Sequence, residues 1–269
     1  MTKKKLITTA HDFGLSGSVN EGILYAIKHK NNIIKEYSLL PNAPYSKQGA
    51  EIAKEYQELS VDLCVVLNNY KPLLTNHKTL VGSNGYFIKG DTSTWNFEVL
   101  DKFDEKEITR EIHAQYEWFL KNVGRKPSAI VTQKSEHGDP KILIPLADLA
   151  KKENLPIRTP AWKWFTNYAA QSYVEEQGIK HTNKVFVGCY DWKGRFGLDI
   201  EKDMDKLFNE VEGISELLIF CGFADEELFK LSSVNWQRGQ YLNMLERNNK
   251  ILLSFKGKFD LVSYKEIFA

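Results

Sequence analysis

Three cysteines in 269 residues are too few, and odd in number, for a disulfide framework. Cys64, Cys189 and Cys221 lie far apart, which points to a reducing compartment and a cytoplasmic protein. Long apolar runs are also missing. Nothing approaches the roughly 20 consecutive apolar residues of a membrane span, and after the solvated Lys3–Lys5 run the stretch at Leu6-Ile7 is too short for a secretory leader. An excess of charge of one sign is lacking too: 36 Lys and Arg against 35 Asp and Glu give a formal net charge of +1. Such a balance gives no broad attraction to nucleic acid or to an anionic membrane, so neither is expected as a partner. No repeat and no low-complexity linker interrupts the chain, and one domain over residues 1–269 is expected.

What the chain does have is a steady alternation of short apolar runs with amphipathic stretches. Strands are expected at Leu6–Ala10, Tyr37–Leu40, Val61–Leu67, Ala129–Thr132, Val185–Val187, Leu217–Cys221 and Leu261–Ser263. Between them, Ile108, Ile112, Tyr116 and Phe119 recur at helical spacing. Further helices are expected near 19–29, 45–56, 140–152, 204–211 and 237–248. This rhythm implies parallel strands with helical crossovers, and so many repeats favour a TIM-like βα barrel, complete or seven-stranded, with its site at the C-terminal strand ends. Two aromatic-rich segments break the rhythm, Asn68–Asp104 (Tyr86, Phe87, Trp95, Phe97) and Thr159–Asn183 (Trp162, Trp164, Phe165, Tyr168, Tyr173). In a barrel these become loops over the mouth. Their aromatics either pack the loops down or offer π faces to sugar rings.

The first candidate for chemistry is the end of strand one, Thr9-Ala10-His11-Asp12-Phe13-Gly14. Adjacent ionisable groups at a strand end suit catalysis or metal binding, and equally a local pair that orders the turn.

"LITTAHDFGLSGSVNEGI" resembles the opening strand, acidic pair and Val-Asn-x-Gly helix start of the YdjC/ChbG-type carbohydrate deacetylases. "SLLPNAP", "VDLCVVLNNYKPL", "LVGSNGYF", "REIHAQYEWFLKNVGRKPS" and "LPIR" follow in the family's order, and "ELLIFCGFAD" with Arg238 fits its late strand and helix. The resemblance implies a barrel that deacetylates an N-acetylated amino sugar or related oligosaccharide. In that chemistry an Asp and two His hold a divalent ion such as Zn or Mg, which lowers the pKa of water from about 15.7 toward about 7. A second acid acts as base and a late His assists. A small carbohydrate ligand and a homodimer are implied as partners.

Position by position, much of that machinery is replaced. The metal positions are Asp12, Cys64 and Gln133, of which only Asp12 keeps the family residue. His11 stands at the acidic base position, and Phe220 where the late His would be. His11 and Asp12 are the catalytic candidates; Asn42, His137 and Arg158 are the candidates for binding substrate. Three readings are open: a remodelled Asp12/Cys64/His metal site, a Cys64–His11–Asp12 nucleophile with Gln133 as oxyanion donor, and a sugar-binding mouth that has lost hydrolysis or altered it. The last is favoured, because coupled positions changed within an intact framework. Gly82–Gly85 and Gly194–Gly197 read as turns and Asp199–Asp205 as a solvated helix start. His29, His77, His113 and His181 read as surface residues without partners.

Overall fold

The computed structural model describes residues 3–88, 101–162, 165–166, 168–188, 203–247 and 249–268. In chain order the strands are β1 (Lys4–Phe13), β2 (Glu36–Leu39), β3 (Ser60–Val65), β4 (Ile130–Thr132), β5 (Ala161–Trp162), β6 (Phe165–Thr166), β7 (Lys184–Gly188), β8 (Ser215–Phe220) and β9 (Phe259–Val262). The helices are α1 (Gly17–Lys28), α2 (Ser46–Glu55), α3 (Glu105–Val123), α4 (Pro140–Glu153), α5 (Tyr168–Glu176), α6 (Met204–Glu210), α7 (Glu226–Leu231), α8 (Arg238–Arg247), α9 (Asn249–Lys258) and α10 (Tyr264–Phe268).

The last eight residues of β1 are all buried, as a strand covered on both faces requires. Seven parallel strands run in the order β4-β3-β2-β1-β8-β7, with β9 paired to the start of β1. They curl into a half-barrel with helices around it, the incomplete TIM-like barrel expected from the alternation. Beyond β4 the wall continues as single rungs: Ile157 bridges Ile130 on one side and His181, just ahead of β7, on the other. The segment expected to be a mouth loop, 159–183, instead contains the antiparallel pair β5–β6 and helix α5. Trp95, Phe97, Trp164, Cys189 and Gly194–Gly197 lie outside the described residues, as do the side chains of Trp162 and Phe165.

Helices pack by their apolar stripes. α3 buries Ile108, Ile112, Tyr116, Phe119 and Val123, begins under the Asp104 side chain, which accepts from the Lys106 and Glu107 amides, and ends at Gly124 with φ 81°. These side chains join Leu63, Val65, Ile130, Leu217 and Ile219 of the strands in one core cluster. α1 is seated by two residues. The Asn20 carboxamide accepts from Gly14 N (2.8 Å) and donates to Tyr45 O (3.1 Å) and Gln48 Oε1 (2.8 Å). Gly22 lies so close to Gly222 that an added Cβ would sit 2.5 Å from its Cα. The Val-Asn-x-Gly helix start therefore pins α1 to the turn after β1 and to the end of β8, and both of these carry the site.

Candidate active site at the barrel mouth

β1 does not end as a regular strand. Its register with β2 shifts between Ala10 and Phe13, and Asp12 has φ 65°, a left-handed conformation uncommon for any residue but glycine. Tyr70, Lys134 and Ser135 also have positive φ. Four strained residues thus gather at the ends of β1, β3 and β4, the pattern of a functional rim.

Asp12 is the centre of the cluster. Its Oδ1 accepts from His11 Nδ1 at 2.8 Å and Gln133 Nε2 at 3.3 Å, and its Oδ2 accepts from Arg238 Nη2 at 2.6 Å. Burial alone would raise the Asp12 carboxyl, but His11 and Arg238 outweigh it and hold the group well below the usual carboxylate range. Phe220 packs against both of these partners, 5.5 Å from the His11 ring and 5.0 Å from the Arg238 guanidinium. Asn69 Nδ2 donates to Gln133 Oε1 at 2.7 Å, and the Tyr70 hydroxyl also meets the Gln133 side chain.

The loop bearing Asn69 and Tyr70 is fastened from α3. Glu111 accepts from the Leu73 (2.9 Å) and Leu74 (3.2 Å) amides, His77 Nε2 (2.9 Å) and Gln115 Nε2 (2.9 Å). One turn earlier, Glu107 accepts from Lys78 N, Thr79 N and the Thr79 hydroxyl, and these bonds hold its carboxyl down at about 2 against the effect of burial. The Gln115 amide brackets both backbone groups of Val66. His77, expected on the surface without a partner, is buried and bound to Glu111: an α3 carboxylate that collects the loop's donors draws the ring inward. His29 and His181 likewise have acidic partners, Glu246 and Glu175.

Not every residue expected at the ligand reaches the mouth. Arg158 is 1% exposed, and its Nε and Nη2 grip the two Glu216 oxygens at 2.7 and 2.6 Å inside the barrel. His137, fully buried, donates from Nε2 to Arg158 O (2.7 Å) and accepts at Nδ1 from the Thr132 hydroxyl (2.6 Å). Burial lowers the His137 ring to about 4, so it is neutral. The bonding atoms of both residues are committed to the protein interior. Asn42 does lie at the rim: its Nδ2 donates to Lys71 O at 3.1 Å, and its Oδ1 is buried with no partner.

A metal fits this set poorly. Both Asp12 oxygens are taken by cationic or amide donors. Burial pushes the Cys64 thiol well up, away from the thiolate a metal needs. Gln133 directs its amide N–H, a donor, at Asp12. Among the described residues no three His, Cys, Asp or Glu side chains converge as a metal set. The raised thiol equally removes the basis for a Cys64 nucleophile.

Fold and mouth together define a TIM-like half-barrel with a polar cluster at its C-terminal strand ends. The chain belongs to the YdjC family: the family described as YdjC-like protein matches residues 5–253. It is 28% identical over 266 residues to a carbohydrate deacetylase of Clostridium beijerinckii, covering 98% of this chain and 100% of that one. A carbohydrate deacetylase of Halalkalibacterium halodurans is 32% identical over 250 residues, covering 90% and 95% of the two chains. A solved structure from Enterococcus faecalis, described as a candidate cellobiose-phosphate cleavage protein, superposes with a TM-score of 0.80 over 100% of both chains at 24% identity, which shows the shared fold.

Arg238 reaches Asp12, a contact the sequence does not announce. In the sequence Arg238 stands only in an expected late helix. No local signal links it to Asp12, 226 positions earlier. The unexplained acid at position 12, stripped of its family partners, was the one hint that a cation had to come from elsewhere.

Proposed function

We propose that this protein binds an N-acetylated amino sugar or a related oligosaccharide at the barrel mouth, and that metal-assisted hydrolysis there is lost or altered. The observation that carries this reading is the state of Asp12. The one metal position that keeps its family residue has both oxygens engaged by His11, Gln133 and Arg238. Family membership supports the carbohydrate, since the relatives matched over nearly their whole length are named carbohydrate deacetylases. Asn42, with an unpartnered Oδ1, is the proposed rim contact for a sugar N–H or hydroxyl. Tyr86 (44% exposed) and Trp236 (39% exposed), on loops at the C-terminal strand ends, are the proposed stacking surfaces. Among the described residues no helix is long and apolar enough to cross a membrane. The buried free thiols of Cys64 and Cys221 fit the proposed cytoplasmic location.

The test combines metal content with ligand binding. After incubation with excess Zn²⁺ or Mg²⁺ and gel filtration, the protein is expected to retain less than a stoichiometric amount of either ion. It should also release no acetate from N-acetylglucosamine oligomers, yet bind them in calorimetry with EDTA present. Stoichiometric metal together with acetate release would establish an active metal-dependent deacetylase and end this reading.

A further inference from the structure

His11 and Tyr70 stand at the two ends of one hydrogen-bonded chain at the mouth. His11 Nδ1 meets Asp12 Oδ1 at 2.8 Å, Gln133 Nε2 donates to the same oxygen at 3.3 Å, and the Tyr70 hydroxyl meets the Gln133 side chain. Asp12 is ionised and has no proton to give, so Nδ1 carries the hydrogen of the His11–Asp12 bond. In the neutral ring the lone pair then sits on Nε2. Among the described residues Nε2 has no hydrogen-bond partner, and it is not sealed from solvent. At the other end, the Gln133 bond favours the ionised phenol, the mark of an N–H donated to its oxygen, and this leaves the Tyr70 O–H to donate. Burial, and then the Asp12 charge, push the phenol above its usual range, so it keeps that proton. Tyr70 is held there with φ 65°, a conformation bulky residues rarely adopt, and its carbonyl accepts from Phe87 N at 3.0 Å.

We propose that this mouth hydrolyses an O-acetyl ester of a sugar without a metal, with His11 Nε2 as general base and the Tyr70 hydroxyl holding the carbonyl oxygen. The inference rests on the proposed carbohydrate mouth and gives its altered hydrolysis a substrate class. Nε2 takes a proton from water as the water oxygen bonds to the acetyl carbon, and the carbonyl oxygen gains negative charge against the Tyr70 O–H. The bond from the acetyl carbon to the sugar oxygen then breaks, and Nε2 returns its proton to that oxygen. The sugar alcohol and acetic acid leave, and the acid ionises in water. Asp12 orients the ring and stabilises the charge it acquires. A positioned base supplies about 10²–10⁴-fold, and one oxyanion donor about 10²–10³-fold. That suits an ester, whose alkoxide is a fair leaving group. An amide, stabilised by resonance and with nitrogen to expel, needs far more.

The probe is N-acetylglucosamine carrying an O-acetyl ester on its primary hydroxyl, which presents both linkages in one molecule. With EDTA present, the full chain is expected to release acetate from the ester and to leave the N-acetyl group on the sugar. Tyr70→Phe keeps the ring and removes only the donor, and His11→Gln removes the base. Each should lower kcat by about 10²-fold or more with little change in KM. Circular dichroism identifies any variant that has not folded, and Tyr70→Phe decides the matter if His11→Gln does not fold. No ester cleavage by wild type, or cleavage that survives in a folded His11→Gln or Tyr70→Phe, overturns this inference while the proposed function stands. Cleavage that EDTA abolishes and Zn²⁺ restores, or loss of the N-acetyl group, overturns both.

Discussion

Arg238 at the mouth and Arg158 in the barrel interior are both fully buried, and each grips a carboxylate at 2.6 Å. Their surroundings differ in charge balance. At the mouth one carboxylate, Asp12, meets one guanidinium and one imidazole. In the interior Arg158 faces Glu216, with Asp62 at 3.6 Å and Glu36 beyond it. Glu216 wins the cation: burial would raise it, but Arg158, Thr9 and Tyr264 hold it down. Asp62 and Glu36 are left over. Burial, and for Glu36 the nearby Asp62, push them up to about 7 and about 8, so near neutrality they hold protons. The mouth is electrostatically closed, whereas the interior takes up protons within the physiological range.

The largest expected effect breaks the two pairs in parallel. Arg158→Met leaves Glu216 buried without its counter-charge and should cost about 3–5 kcal/mol in urea unfolding. Arg238→Met should cost less, about 1–3 kcal/mol, because Asp12 retains His11 and Gln133. Equal losses would erase the distinction between the mouth pair and the interior pair.

Next, Glu111→Gln takes away a side chain that accepts from four donors and puts an amide donor among them. A loss of about 2 kcal/mol is expected, with limited proteolysis shifting to the 68–88 loop. An unchanged cleavage pattern would mean that the mouth takes its rigidity from elsewhere.

Asp62→Asn tests the interior's proton uptake. A carboxyl whose folded pKa is raised stabilises most below its unfolded value near 3.8, and that contribution fades as pH climbs through the folded value near 7. The variant, which keeps an acceptor for Ser38, should therefore gain about 1 kcal/mol on wild type between pH 5 and 8. Asp12→Asn should show a pH-independent difference over the same range, since Asp12 stays ionised throughout. A flat profile for Asp62→Asn would remove the interior's role. The smallest effect expected concerns Cys64. Iodoacetamide at pH 8 should leave it unmodified in the folded protein, because burial keeps the thiol protonated and covered.

Much of this molecule could be read along the chain, because its signals are local. The bounds of α3 follow from Asp104, a regular apolar stripe and Gly124; the His11-Asp12 turn follows from a strand running into glycine. What could not be read depends on contacts made far away in sequence or on a backbone reversal. Lys134 and Ser135, both left-handed, turn the chain so that His137 points inward under Arg158 O, and residue type gives no sign of that. Nor does the ring of His77 announce an acceptor 34 positions later. Ile157 forms one rung on each side, too short for any periodic pattern.

That single rung bears on how the wall comes apart. Elsewhere the staves are joined by ladders of three to six registered pairs; at Ile157 the wall is held by Ile157 N to Lys180 O on one side and by Ile130 N to Pro156 O and Arg158 N to Ile130 O on the other. The Arg158–Glu216 tie, reaching across the lumen to β8, is then a crossbar that holds a thinly stitched stave in place. In native-state amide exchange the Ile157 and Arg158 amides should be the first of the wall to trade protons with solvent, and cutting the crossbar should open that stave before the rest of the ring gives way.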